Sequence, residues 1–226
     1  MHASPALIAR RVRPARLKRR PVQARSARTL ELLLDAAERL LESRSFDDLT
    51  MADLAAEAGI AVGTIYTRFE SRDAILPYLY ERYQQDLHRR VDEHLDTGRL
   101  AGLDLRARVK HIVDFAVRLY RARRGLWRAV ALYACRTPGA ISVEHRHRRG
   151  VMLERCAALL IECRAEIAHP DPRRAVAFAL SAVIAICKDR ILFDDAIGGM
   201  YPALSDRQLK GELVRVMCRY LGVEGH

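Results

Sequence analysis

Between residues 26 and 69 the apolar positions fall into short helical patterns separated by breaks. Leu30, Leu33, Leu34, Ala37, Leu40 and Leu41 recur at three- and four-residue spacing and predict a first helix starting near Ser26. Ser43 and Ser45 end that run, and Phe46 is expected to tuck back beneath it. Thr50, followed three residues on by Asp53, predicts a capped helix start, with Met51, Leu54, Ala55 and Ala58 as the apolar positions. Gly59 stops this second helix, since a left-handed backbone is needed just past a helix end. Ile60 and Ile65 then have the spacing of inward-facing anchors and Phe69 closes the far end. Thr64, Tyr66, Thr67 and Arg68 are left to other faces. A gap of about three residues between two short helices is the spacing of a helix-turn-helix.

Ser71 is placed to cap a longer helix running to about Asp96, striped by Leu76, Tyr80, Tyr83, Leu87 and Val91, with Pro77 as a first-turn irregularity or kink. Residues 96–104 predict a loop. Further helices are expected near 105–123, 125–135, 143–168, 172–193 and 205–221. The run 175–187 is apolar nearly all round, yet a membrane span needs about 20 such residues. A helix of that kind must be covered on every side. The last helix, with Leu209, Leu213, Val216, Met217, Tyr220 and Leu221, is its natural partner, in a bundle that also buries a second subunit. No alternating β pattern and no long-period repeat occurs, so the fold class is all-α.

Charge sharpens the picture. The chain has 226 residues, is 50% hydrophobic, and carries a formal net charge of +11. Residues 1–28 contribute +9 of it through Arg10, Arg11, Arg13, Arg16, Lys18, Arg19, Arg20, Arg25 and Arg28, before the first acid at Glu31. A nearly neutral body thus follows a cationic arm suited to a polyanion such as a phosphate backbone. Pro5, Pro14 and Pro21 oppose a continuous helix, so the arm is expected to be disordered when free. It lacks the apolar segment of a secretion signal, while an arginine-rich, acid-free start also suits a transit peptide. The five cysteines are odd in number and form no CxxC, which fits a reducing cytoplasm. Cys156 and Cys163 share one helical face, the arrangement of a thiol sensor, although Leu159 and Leu160 beside them favour plain burial.

Enzyme signatures are missing: there is no phosphate-cradling glycine loop, GxSxG, HExxH or paired-carboxylate motif. His145 and His147 in "EHRHRRG" stand two apart, on different sides of a helix, within a basic face. His88, His94 and His111 have no partner at ligand spacing. No cofactor and no metal is expected.

Attention therefore returns to the helix-turn-helix. Threonine and tyrosine hydroxyls reach phosphate oxygens, arginine reaches phosphate or a guanine edge, and Gly63 lets backbone approach backbone. A helix of about eight residues is roughly 12 Å long, comparable with the major groove. "LLLDAAERLL" (32–41) and "TMADLAAEAGIAVGTIYTRFESRDAIL" (50–76) resemble the DNA-binding domain of the tetracycline-repressor (TetR) family of bacterial regulators. The resemblance covers residues 28–76. Beyond them only length and helical character agree.

The resemblance implies a homodimer that binds double-stranded operator DNA through its N-terminal helices and a small-molecule effector through its C-terminal ones. By the family's pattern Thr50 starts its helix against a phosphate. Gly63, Thr64, Thr67 and Arg68 face the groove, Tyr66 holds a phosphate, and Arg72 anchors the strand beyond Phe69. Arg16, Lys18, Arg19, Arg20 and Arg25 of the arm would add phosphate contacts. Three departures stand out: Ala61 where a capping hydroxyl is common, Arg72 in place of lysine, and Thr67-Arg68 where aromatic or histidine side chains are common. The expected organisation is an arm (1–24), a DNA-binding domain (25–72) and an effector-binding and dimerisation domain (73–226). Candidate pocket walls are Phe115, Leu119, Trp127, Val130, Tyr133 and Phe178. The expected function is a cytoplasmic, effector-released repressor with no membrane partner, the alternative being a thiol- or metal-sensing regulator with the same head.

Overall fold

The computed structural model describes residues 24–95, 97–137, 139, 143–194 and 203–223. The arm residues Arg16, Lys18, Arg19 and Arg20 lie outside them, as do the side chains of Arg25 and His145. All regular structure among the described residues is helical.

The head consists of α1 (Ala24–Ser43), α2 (Met51–Ala58) and α3 (Val62–Tyr66). Leu33, Leu34, Ala37 and Leu41 of α1 are buried against Leu54, Ala55 and Ile65, with Phe46 and Phe69 closing the core. The start of α2 is locked locally. The Asp53 amide donates to the Thr50 hydroxyl at 3.0 Å, and the Thr50 amide donates to the Asp53 carboxylate at 2.8 Å. Gly59 takes the left-handed conformation (φ 66°), and Gly59 and Ile60 donate back to Ala56 and Ala55. Together these bonds form the Schellman closure that only a residue tolerant of positive φ makes cheaply.

Several boundaries differ from the sequence expectation. Ser71 makes no side-chain cap, and a 3-10 turn (Arg72–Ile75) precedes α4 (Leu76–His94). Pro77 thereby falls in the first turn, where its missing N–H costs nothing. The expected loop after α4 contains a single-turn helix, α5 (Thr97–Leu100). The body continues with α6 (Leu105–Ala122), α7 (Arg124–Arg136), α8 (Val143–Ile161), α9 (Pro172–Cys187) and α10 (Asp206–Leu221). Helix α8 ends before Arg164–Glu166, which form a 3-10 turn, and α9 passes into a wider π turn at Lys188–Leu192.

Helix α10 packs on α6 and α9, α8 packs on α9, and α7 reaches back to α1. The α4 stripe of Leu76, Tyr80, Tyr83, Leu87 and Val91 is fully buried. Among the described residues helix α9 is not covered all round. Phe178 is 61% exposed and Val216 of α10 is 55% exposed, beside the half-open Tyr220.

Candidate nucleic-acid interface and interior cavity

The second helix of the motif presents a polar outer face. Ile65 is buried beneath it, while Gly63, Thr64, Tyr66 and Thr67 are exposed, Tyr66 by 50%. Helix α3 is shorter than anticipated, spanning Val62–Tyr66, and Ala61 at its start offers no side-chain acceptor to its first amides. Its end is tied by the Thr67 hydroxyl, which donates to the Thr64 carbonyl at 2.7 Å. A β-carbon at Gly63 would meet nothing within 4 Å, so nothing among the described residues requires glycine there. The half-buried Arg68 has a guanidinium nitrogen, Nη1, without a partner.

Two expected contact residues are occupied otherwise. The Thr50 hydroxyl donates to Asp53 at 2.6 Å while accepting from its amide, so both of its functions serve the helix cap. Arg72 does not point away from the head. Its Nη1 donates to the carbonyls of Asp47 (2.8 Å) and Leu49 (2.7 Å), and its guanidinium lies 4.7 Å above the Phe46 ring. The planar fork that distinguishes arginine from lysine is thus spent bracing the turn between α1 and α2. Hydrogen bonding from Thr50, reinforced by Arg44, lowers the Asp53 pKa from 3.8 to about 2.

Head and body meet through charge and close packing. Glu38 of α1 pairs with Arg123, at the start of α7, and lies 3.7 Å from Arg82 of α4. Arg82 also pairs with Asp35 at 2.5 Å. Gly125 of α7 sits directly against the backbone of Leu41.

Inside the body, α4, α6, α7, α8 and α9 line a partly open cavity of about 60 Å³. Phe115, Leu119 and Trp127 stand in its wall with Leu87, Ile112, Met152, Cys156, Leu180 and Val183. Tyr83 packs edge-on against Trp127, with ring centroids 4.5 Å apart. Val130 and Tyr133 are buried in the core but do not line this space. Phe178 is a correction of a different kind: it faces outward and stacks on Tyr220 at 5.3 Å. The sequence reading missed Gln84. It sits on the α4 stripe four residues after Tyr80, is 1% exposed, and lines the cavity. A polar residue interrupting an apolar stripe was the available signal.

Four of the five thiols are buried, and desolvation raises their pKa values, to about 11 at Cys156 and about 12 at Cys187. Such thiols stay protonated and are poor nucleophiles at neutral pH. Cys135 is exposed. Among the described residues no group of three or more His, Cys, Asp or Glu side chains is gathered as metal ligands would be. No helix among them is long and apolar enough to cross a membrane.

A small helical head with a polar outer helix, joined to a helical body through ion pairs and close packing, is the arrangement of a helix-turn-helix transcriptional regulator, the class to which the family signatures assign the chain. The signature "Bacterial regulatory proteins, tetR family" matches residues 33–79, and "Tetracyclin repressor-like, C-terminal domain" matches residues 104–221. The chain belongs to the TetR family. It is 34% identical over 68 residues to the helix-turn-helix-type transcriptional regulator YwcC of Bacillus subtilis (strain 168), a match spanning 30% of each protein. With a helix-turn-helix-type transcriptional regulator in the dhlA 5′ region of Xanthobacter autotrophicus it shares 28% identity over 159 residues, covering 68% of this chain and 73% of that one.

Among solved structures, a TetR-family regulator from Mesorhizobium loti superposes with a TM-score of 0.62 at 18% identity, covering 90% of this chain and 100% of that one. The fatty acid degradation regulator FadR from Bacillus halodurans gives 0.55 at 19% identity, covering 88% and 97%. At such identities the likeness is one of fold.

Proposed function

We propose that this regulator works in the cytoplasm as a homodimer on double-stranded operator DNA, as a repressor released by a small, mainly apolar effector. The observation that carries the reading is the continuity of α4, whose start packs on the head and whose middle walls the cavity. Thr64, Tyr66, Thr67 and the partly unpartnered Arg68 supply hydroxyl and guanidinium groups to a major groove, and the bare Gly63 lets the backbone come close. Thr50 acts through the helix start that it caps, and Arg72 by holding α2 in place. Arg16, Lys18, Arg19, Arg20 and Arg25 add counterion-releasing phosphate contacts. The second copy is seated on the outward face of α9 and α10, where Phe178, Val216 and Tyr220 form an exposed apolar patch.

Release follows from the size of the cavity. Ligand sites commonly measure about 300–1,000 Å³. A guest that fills a site of that size must push apart walls that leave about 60 Å³ of room here, so it binds the expanded and compact states unequally. Four of the five thiols are buried and protonated, which leaves a redox-sensing alternative only the exposed Cys135.

The test is selection of duplexes from a random library by the full-length protein, with its mass in solution measured in parallel. The expected result is a dimer that enriches an inverted repeat with half-sites about 34–36 Å apart, or a multiple of that. Removing residues 1–24 should flatten the dependence of log affinity on log salt. A monomer, or a protein that enriches no sequence, overturns the proposal.

A further inference from the structure

We infer that the cavity takes an uncharged, mainly apolar molecule bearing one hydrogen-bond donor, and that Gln84 reads that donor. The inference rests on the reading of the cavity as the effector site. Among the described residues its lining contains no Asp, Glu, Lys, Arg or His. A carboxylate or ammonium entering it would therefore lose its water and find no opposite charge.

Two buried polar atoms in the lining lack a hydrogen-bond partner: the acceptor Gln84 Oε1 and the donor Trp127 Nε1. Gln84 is 1% exposed, and its Oε1 has no hydrogen-bond partner. Buried polar groups are overwhelmingly paired, and an unpaired acceptor is destabilising where water cannot reach it. A ligand hydroxyl or amide N–H supplies the missing donor. A hydroxyl can also accept from Trp127 Nε1, whereas a carboxylate leaves Gln84 unpaired and brings an uncompensated charge, and a plain hydrocarbon leaves both atoms unpaired.

The surrounding wall is able to yield. Met152 is unbranched and adaptable, and it stands across the cavity from α4 with Leu180 and Val183. Trp127 is the single tryptophan of the chain and belongs to the same wall, so its fluorescence reports occupancy directly.

The experiment titrates full-length protein with 1-octanol, octanoate, octylammonium and n-octane while following Trp127 emission. Octanol is expected to shift the emission saturably and to bind at least about tenfold more tightly than either ion. Gln84→Leu should keep octane binding but shrink the preference for octanol over octane by about fivefold, the worth of one neutral hydrogen bond. It should also melt no lower than the parent protein, since it removes an unpaired acceptor. Octanoate binding as tightly as octanol, or an unchanged preference in Gln84→Leu, overturns the inference and leaves the cavity reading intact. If none of the four probes moves Trp127 emission, the cavity reading falls and the inference with it.

Discussion

A β-carbon placed on Gly125 would lie 1.9 Å from the carbonyl oxygen of Leu41. Backbone therefore touches backbone where the body helix α7 crosses the head helix α1. Trp127, two residues further along α7, stands in the cavity wall. The cavity wall and the contact with the head thus lie within a single turn of the same helix.

Gly125→Ala should accordingly force the two helices apart, because a backbone oxygen cannot swing aside as a side chain can. The expected loss is about 1–3 kcal/mol, the usual cost of overpacking, together with altered operator affinity. Gly211→Ala is the matched control. It lies in α10, where a β-carbon meets nothing within 4 Å, so it should be neutral or slightly stabilising. Equal melting temperatures for the two variants would remove Gly125 from the coupling.

Gly63→Ala separates folding from binding. With nothing within 4 Å of the added carbon, the head should melt no lower, and up to about 1 kcal/mol of helix propensity favours alanine. Operator affinity should nonetheless fall if DNA approaches this backbone. Tyr66→Phe should weaken binding by about 1 kcal/mol if one neutral hydrogen bond to phosphate is lost. Binding isotherms and melting curves on the same preparations decide both. Undiminished affinity in the two variants would turn the interface away from this face of α3.

Asp53 makes the head sensitive to acid. Its pKa lies at about 2 in the folded state against an ordinary 3.8. A depressed carboxylate contributes stability that is fully present above the unfolded value and is lost as pH falls through the folded one. Denaturant unfolding of the full-length protein should therefore weaken between about pH 4 and pH 2, and Asp53→Asn should flatten that part of the profile. An identical profile in the variant would mean that other carboxylates govern acid unfolding.

The features legible in the sequence were those written locally. The Thr50–Asp53 cap, the Gly59 stop and the buried Ile65 and Phe69 each depend on neighbours within a few residues, so spacing alone revealed them. The cavity depends on which helices face one another. Periodicity puts Val130, Tyr133 and Phe178 on apolar positions but does not say what covers them. Tyr133 is covered by core, whereas Phe178 is left open with Tyr220. Arg72 illustrates the same limit for charge. Its sign could be read, but its commitment to the Asp47 and Leu49 carbonyls follows from how the chain turns before α2.

The charges linking Glu38 to Arg82 and Arg123 bear on how the regulator feels its ionic surroundings. These pairs join the head to two different body helices and remain partly open to water, so dissolved ions screen them. Rising salt then acts twice: it competes for the nucleic acid outside, and it slackens the joint that orients the head inside. Salt dependence of operator binding is therefore expected to carry a contribution from this joint as well as from the phosphate contacts.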